Sequence, residues 1–189
     1  MKYLQKNLGV KLAQLFSIAG LCLGASTLAA DSYIVTMPGL VIDASSNEVA
    51  VWEVDNQTTS TGSIQSSTYD SGTSTWSTAV TISDTQDAFA PIVATNASGN
   101  TVAAWAFIDH VNGIYSLSVS MLDPMTGWST PVVLNPTTEQ INVNYQLKIN
   151  ASGQVAIIWN SSNTTTSVTS IWTSTAAFGG SWSTPVQLF

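Results

Sequence analysis

After residue 31 the chain consists of short runs in which apolar and polar residues alternate, with turn-forming residues between the runs. A period of two is typical of β-strands that bury one face. In its middle part the pattern predicts strands over 91–96, 101–107, 114–122 and 128–134. After residue 31 no window shows the caps and the 3.6-residue period of a helix. The sequence therefore predicts an antiparallel meander of four strands.

The same pattern occurs three times at nearly constant spacing. The predicted second strands end on tryptophans 53 and 54 residues apart, and a Trp-Ser-Thr segment follows each of them by 23 or 24 residues. The six tryptophans are Trp52, Trp105, Trp159, Trp76, Trp128 and Trp182. Two markers in constant phase indicate an internal repeat, which we place at about 37–90, 91–144 and 145–189.

Four-stranded meanders of this length cannot bury both faces alone, so the copies are expected to stack face to face. Radial stacking of such units produces a β-propeller. We therefore predict an all-β fold of three four-stranded antiparallel propeller-type blades, either a partial propeller or half of an oligomeric one. The uncovered outer faces of the first and last blades are expected to be apolar and to promote self-association.

The N-terminal segment has a different pattern. Three lysines precede an apolar run from Leu12 to Leu23, and small residues follow around Ala29. This order predicts a signal peptide over 1–30, a single exported domain over 31–189, and no membrane insertion once the signal is removed. The only cysteine, Cys22, lies within the signal, so the mature part is expected to contain no disulfide. We expect the exported protein to be located in the periplasm, on the cell surface or in the medium.

Charge narrows the choice of partners. Residues 31–189 contain eleven carboxylates against one cation, Lys148, which gives a formal net charge of −10. Phosphate binding needs a basic surface, so nucleic acid is not expected as a partner. The chain contains no arginine.

The segment from Thr68 to Trp76, TYDSGTSTW, resembles the Asp-box turn of sialidase-type propellers, with Asp70 in the aspartate position. The second copy keeps this aspartate as Asp123, whereas the third has Ala177. The wider pattern over 39–189 is similar to the BNR-like repeats of exported bacterial proteins. The resemblance implies a propeller fold. A sialidase of this class holds its substrate with three arginines, so sialidase activity is not expected of this chain.

The sequence offers few residues that could act as catalytic groups or metal ligands. A glycoside hydrolase needs two carboxyl groups, and Asp84 with Asp87 or Glu48 with Glu53 are close in sequence. These pairs lie in a predicted linker and at the ends of a predicted strand, so we assign no catalytic residue. One histidine and no mature cysteine argue against zinc. The oxygen-rich turn at Asp43 resembles a calcium loop, but an Asx turn explains it, and we expect no cofactor or metal.

Loops at one end of the predicted blades differ most between copies, and recognition residues are usually carried by variable loops on a rigid frame. Aromatic residues found in only one copy are better site candidates than those repeated in all three. Our candidate binding residues are Asp109, His110, Tyr145, Tyr115 and Trp172. The acidic balance suggests a neutral or weakly cationic ligand.

By elimination, the sequence predicts an exported, non-enzymatic binding or scaffolding module that recognises a glycan or a protein surface. One alternative is a glycoside hydrolase-like enzyme that uses loop carboxylates. Another is a surface or structural protein without a ligand, or a truncated propeller fragment.

Overall fold

All regular elements of the described structure are strands. It is a computed structural model that describes residues 31–84 and 87–189, so the predicted signal peptide lies outside the described residues. Within those ranges the chain forms three antiparallel sheets and no helix, and hence no helix that could cross a membrane. The prediction of an all-β fold is confirmed.

Each sheet is built from consecutive segments of the chain. Sheet one contains Tyr33–Ile42 (β1), Glu48–Asn56 (β2), Thr61–Asp70 (β3), Thr75–Trp76 (β4) and Val80–Thr81 (β5). Sheet two contains Ala88–Thr95 (β6), Thr101–Asp109 (β7), Ile114–Asp123 (β8), Gly127–Trp128 (β9) and Val132–Val133 (β10). Sheet three contains Glu139–Ile149 (β11), Gln154–Asn163 (β12), Thr169–Ala177 (β13) and Val186–Gln187 (β14).

The predicted fourth strand, 128–134, is wrong as one continuous element. In sheet two it splits into β9 and β10, because the Ser129 side chain takes the place of a backbone carbonyl in the ladder with β8. The Ser129 hydroxyl accepts a hydrogen bond from Met121 N (3.1 Å), while Ser129 O accepts one from the Ser120 hydroxyl (2.7 Å). Sheets one and three repeat these contacts at Ser77 and Ser183. The serine of the Trp-Ser-Thr marker is therefore structural.

The predicted turns between the first and second strands are confirmed, and we call the end of the sheets where they lie the turn end (43–47, 96–100 and 150–153). In each turn one side-chain oxygen accepts backbone N–H groups two and four residues further on. These oxygens belong to Asp43, Asn96 and Asn150, with distances of 2.8–3.1 Å. These Asx turns account for the oxygen-rich pattern.

Each sheet has two faces, which we name by the repeat. The Trp face carries Trp52, Trp105 or Trp159, and the aliphatic face carries the residue before it, Val51, Ala104 or Ile158. The aliphatic face of sheet one packs on the Trp face of sheet two, and the aliphatic face of sheet two packs on the Trp face of sheet three. Sheet two, covered on both sides, provides most of the fully buried residues.

The outer faces are not equally apolar. The Trp face of sheet one exposes Val35, Leu40 and Ile42, as expected. The aliphatic face of sheet three instead exposes Lys148 and Gln154 beside Ile158, so the expectation of an apolar face is wrong there.

The first strand of every sheet contains a bulge that the sequence pattern did not predict. The ladder shifts register there, and one residue adopts a positive φ: Met37 (50°), Ala90 (53°) and Val143 (52°). A bulge leaves backbone N–H and C=O groups outside the ladder, and these need other partners when they are buried.

Candidate functional site

The loops between second and third strands, 57–60, 110–113 and 164–168, lie opposite the turn end, and we call this end the loop end. Asp87 connects two sheets there. Its Oδ1 accepts a hydrogen bond from Gly62 N (3.3 Å) in sheet one, and its Oδ2 lies 3.0 Å from His110 Nε2 in sheet two. A side chain on Gly62 would meet Ala88 O at 2.6 Å, so the close approach of these segments requires glycine.

Of the predicted site residues, Asp109 and His110 lie together in the loop of sheet two. Asp109 Oδ1 accepts hydrogen bonds from Val111 N (3.0 Å) and Asn112 N (3.1 Å), and Oδ2 accepts one from Asn112 Nδ2 (2.7 Å). The bond from the Asn112 side chain is the main cause that lowers the Asp109 pKa. Asp109 therefore shapes its own loop, whereas the His110 side chain is 65% exposed and accessible to a ligand.

A carboxyl group that we had set aside, Glu53, lies at the contact of sheets one and two. Its side chain is 8% exposed, and its Oε2 accepts a hydrogen bond from Ala90 N (3.0 Å) at the bulge of β6. Burial raises the pKa of Glu53, the hydrogen bond from Ala90 N offsets part of this, and the neighbouring Asp55 carboxyl raises the pKa further. Glu53 and Asp55 lie two residues apart on one face of β2 near the loop end, and we call them the carboxyl pair.

Tyr145 binds the other side of the same bulge. Its hydroxyl donates a hydrogen bond to Ala90 O and accepts one from Ala106 N (3.1 Å). Burial raises the pKa of the phenol well above its usual range, and the charge of Glu53 adds to this. Glu53 from sheet one and Tyr145 from sheet three therefore hold Ala90 of sheet two between them.

The remaining two candidates occupy different surroundings. Tyr115 is 40% exposed and meets Phe89 edge to face at 5.6 Å, so it lies beside the bulge at Ala90. Trp172 is half-buried, pairs across the strands with Trp159 and packs on the core between sheets two and three. The described contacts therefore bring Tyr115 and Tyr145 to one segment, and they do not join Trp172 to Asp109 or His110.

The sequence contains a pattern that could have identified Glu53 as a candidate site residue. Glu53 occurs where the other copies have Ala106 and Asn160, and it lies two residues before Asp55, on the same face of β2. No group of three potential metal ligands from His, Cys, Asp and Glu occurs within 31–84 and 87–189.

Comparisons with known proteins identify the fold. No family model and no curated protein matches the sequence. Among solved structures, the chain is similar to the GH93 α-L-arabinofuranosidase of Fusarium graminearum in complex with arabinobiose (TM-score 0.50, 15% identity, covering 81% of this chain and 48% of that one). It is also similar to the polysaccharide lyase Uly1 (TM-score 0.52, 8% identity, covering 80% and 40%).

These similarities fit a partial β-propeller of the kind found in glycan-active enzymes. The chain spans less than half the length of either structure. Our prediction of a non-enzymatic binding or scaffolding module is wrong on this comparison, because both of these structures of similar fold are glycan-active enzymes. The elimination failed for two reasons: missing arginines exclude the sialidase mechanism only, and Glu53 was compared with Glu48 rather than with Asp55. Hydrolysis by two carboxyl groups needs no arginine.

Proposed function

We propose that the chain is the site-bearing part of an exported, glycan-active β-propeller protein that hydrolyses a neutral glycan at its loop end. The carboxyl pair Glu53 and Asp55 is the observation on which this proposal mainly rests. A carboxyl group buried beside a second carboxyl retains its proton at higher pH than a free one, as the proton donor of a glycoside hydrolase must.

The roles within the pair follow from their surroundings. Glu53 is buried and its pKa is raised, so we assign it as the general acid that protonates the leaving oxygen. Asp55 is more exposed, and we assign it as the carboxylate that acts on water or on the sugar. Ala90 N and the Tyr145 hydroxyl hold this part of the site in place from two other sheets.

Charge and exposure indicate the substrate class. The net charge of −10 over residues 31–189 repels polyanions and favours a neutral glycan over an acidic one. His110 is exposed and contacts Asp87, which also accepts a hydrogen bond from Gly62 N, the residue paired with Asp55, so His110 is our candidate for contact with the sugar. Tyr115 is exposed on the aliphatic face of sheet two, whereas the pair lies towards the Trp face of that sheet, so we do not assign Tyr115 to this site.

The test is turnover on a panel of neutral and acidic polysaccharides, measured as release of reducing ends by the purified protein. We expect turnover of at least one neutral glycan, with large losses in Glu53→Gln and Asp55→Asn. The matched control is Asp70→Asn at the turn end, which retains the oxygen that accepts the hydrogen bond from Gly72 N (2.8 Å). The proposal is wrong if no glycan is cleaved, or if the control loses as much activity as the two variants.

A further inference from the structure

The loop between β7 and β8 contains the only Asn-Gly pair of the sequence, Asn112 and Gly113. An asparagine followed by glycine is chemically labile, because glycine has no side chain to obstruct an attack of its backbone nitrogen on the asparagine side chain. Both residues are exposed, and a β-carbon built on Gly113 would meet no atom within 4 Å. Water therefore has free access to this pair.

The reaction at such a pair is intramolecular and consumes only water. The Gly113 nitrogen gives up its proton and attacks the Asn112 side-chain carbon Cγ, so that a new N–Cγ bond closes a ring. The bond from Cγ to Nδ2 breaks, and the amide leaves with that proton as ammonia. Water then opens the ring on one side or the other, which yields aspartate or isoaspartate. The attack requires the Gly113 nitrogen and the Asn112 amide to be free of other partners.

Asp109 holds both reacting groups in the folded loop. Its backbone oxygen accepts a hydrogen bond from Gly113 N (2.7 Å), and its Oδ2 accepts one from Asn112 Nδ2 (2.7 Å). Its Oδ1 accepts a third from Asn112 N (3.1 Å). The first bond engages the proton that must be lost, and the second holds the amide that must leave. All three bonds therefore have to yield before the ring can close.

The charge of Asp109 acts in the same direction. The hydrogen bond from the Asn112 side chain lowers the pKa of Asp109, burial offsets part of this, and the backbone bonds lower the pKa further, so the carboxylate stays charged at neutral pH. Negative charge develops on the Gly113 nitrogen as its proton leaves, and a carboxylate nearby disfavours it. We propose that Asn112 is a site of spontaneous conversion to aspartate and isoaspartate, and that Asp109 slows this modification in the folded protein.

The modification would change the loop that carries His110. A carboxylate at position 112 would replace the amide that now donates to Asp109 Oδ2 (2.7 Å), and two like charges at this place repel each other. Isoaspartate also lengthens the backbone of the loop that joins the paired residues Asp109 and Ile114. The proposal concerns the chemistry of this loop, so it can fail without affecting the proposed hydrolysis, which is assayed separately.

Peptide mapping by mass spectrometry, after incubation of the purified protein at mildly alkaline pH, provides the test because it distinguishes asparagine, aspartate and isoaspartate at position 112. We expect slow modification in the folded parent and a rate about tenfold higher in guanidinium chloride, where the bonds to Asp109 are lost. Asp109→Ala should raise the rate about tenfold in the folded protein and have little effect in the denaturant. Asn112→Gln should suppress the modification, because the longer side chain closes a less favourable ring.

The matched control is Asp123→Ala, which removes an aspartate that accepts hydrogen bonds from Met125 N (2.8 Å) and Thr126 N (2.9 Å) in another turn of sheet two. It should leave the rate at position 112 unchanged. Circular dichroism establishes that both variants are folded, and if Asp109→Ala is not, the comparison of the folded and denatured parent decides. Equal rates in those two states, an Asp109→Ala rate no higher than that of the control, or an Asn112 that is modified under no condition would overturn the proposal.

Discussion

The two ends of the sheets use polar residues in different ways. At the turn end, Asp43, Asn96 and Asn150 bond to the backbone of their own turns, in the same manner three times. Asn96 Nδ2 also donates a hydrogen bond to Asn150 O of sheet three (3.0 Å). At the loop end, Glu53, Asp87 and Tyr145 bond to other sheets, and no copy repeats another. The turn end thus stabilises each repeat and joins neighbouring sheets through backbone and amide groups, whereas the loop end joins the repeats through titratable side chains, of which Glu53 is buried. Buried groups with shifted pKa values are characteristic of functional sites.

The largest predicted effect is the loss of catalytic turnover when Glu53 at the loop end is replaced. Glu53→Gln preserves the shape of the side chain and an oxygen for Ala90 N but removes the proton donor. We expect a loss of about 10²- to 10⁴-fold in kcat, the usual contribution of a general acid. Steady-state kinetics on a glycan that the parent cleaves measures it. A variant that retains full activity would show that Glu53 is structural only.

The next effect is on stability. Tyr145→Phe removes the hydroxyl that bonds to Ala90 O and Ala106 N, and leaves both groups without that partner. An unsatisfied buried polar group costs about 1–3 kcal/mol, so the free energy of unfolding should fall by about 2 kcal/mol or more. Urea denaturation measures the loss. Tyr33→Phe, at a largely exposed tyrosine, is the control, and equal stability of the two variants would contradict the bridging role.

A smaller loss is expected at the turn end. Asn150→Ala removes the oxygen that accepts bonds from Ser152 N (3.0 Å) and Gln154 N (2.8 Å). Since this turn is exposed and water can replace the lost bonds, we expect a loss of about 1 kcal/mol in the free energy of unfolding. Kinetic constants should be unchanged. A loss of activity in a folded Asn150→Ala protein would mean that the two ends are not functionally distinct.

The smallest stability effect is expected for the contact between His110 and Asp87. His110→Ala removes this contact (3.0 Å from Nε2 to Oδ2), and because the His110 side chain is 65% exposed, the loss should be at most about 1 kcal/mol. If His110 contacts the glycan, KM should rise several-fold with little change in stability. Ser98→Ala, in a turn at the opposite end, serves as the control for binding. Equal KM values in both variants would remove His110 from the site.

Much of the fold could be predicted from the sequence because its signals are local. The alternation of apolar and polar residues predicted the strands, and the spacing of the tryptophans predicted the repeats. The Asp or Asn at each turn predicted the hairpins. The bulges at Met37, Ala90 and Val143 could not be predicted in this way. None of these residue types favours a positive φ. The conformation at Ala90 depends on partners from two other sheets.

The candidate site was only partly predictable for the same reason. The variable loop at Asp109 and His110 was found because it differs between the copies. Tyr145 was selected as a copy-specific aromatic, but its partners Ala90 and Ala106 lie 55 and 39 residues away in the chain. Glu53 was set aside because it was compared with Glu48 rather than with Asp55. A period of two in a strand would have placed Glu53 and Asp55 on one face.

The pH dependence of turnover shows directly whether Glu53 at the loop end acts as a proton donor. Its pKa is raised, so the protonated, active form is present at low pH and is lost as the pH rises through that pKa. We expect kcat/KM of the parent to fall over this pH range, and the residual activity of Glu53→Gln to lack that fall. The same falling limb in both proteins, or no cleavage of any glycan by the parent, would contradict the account.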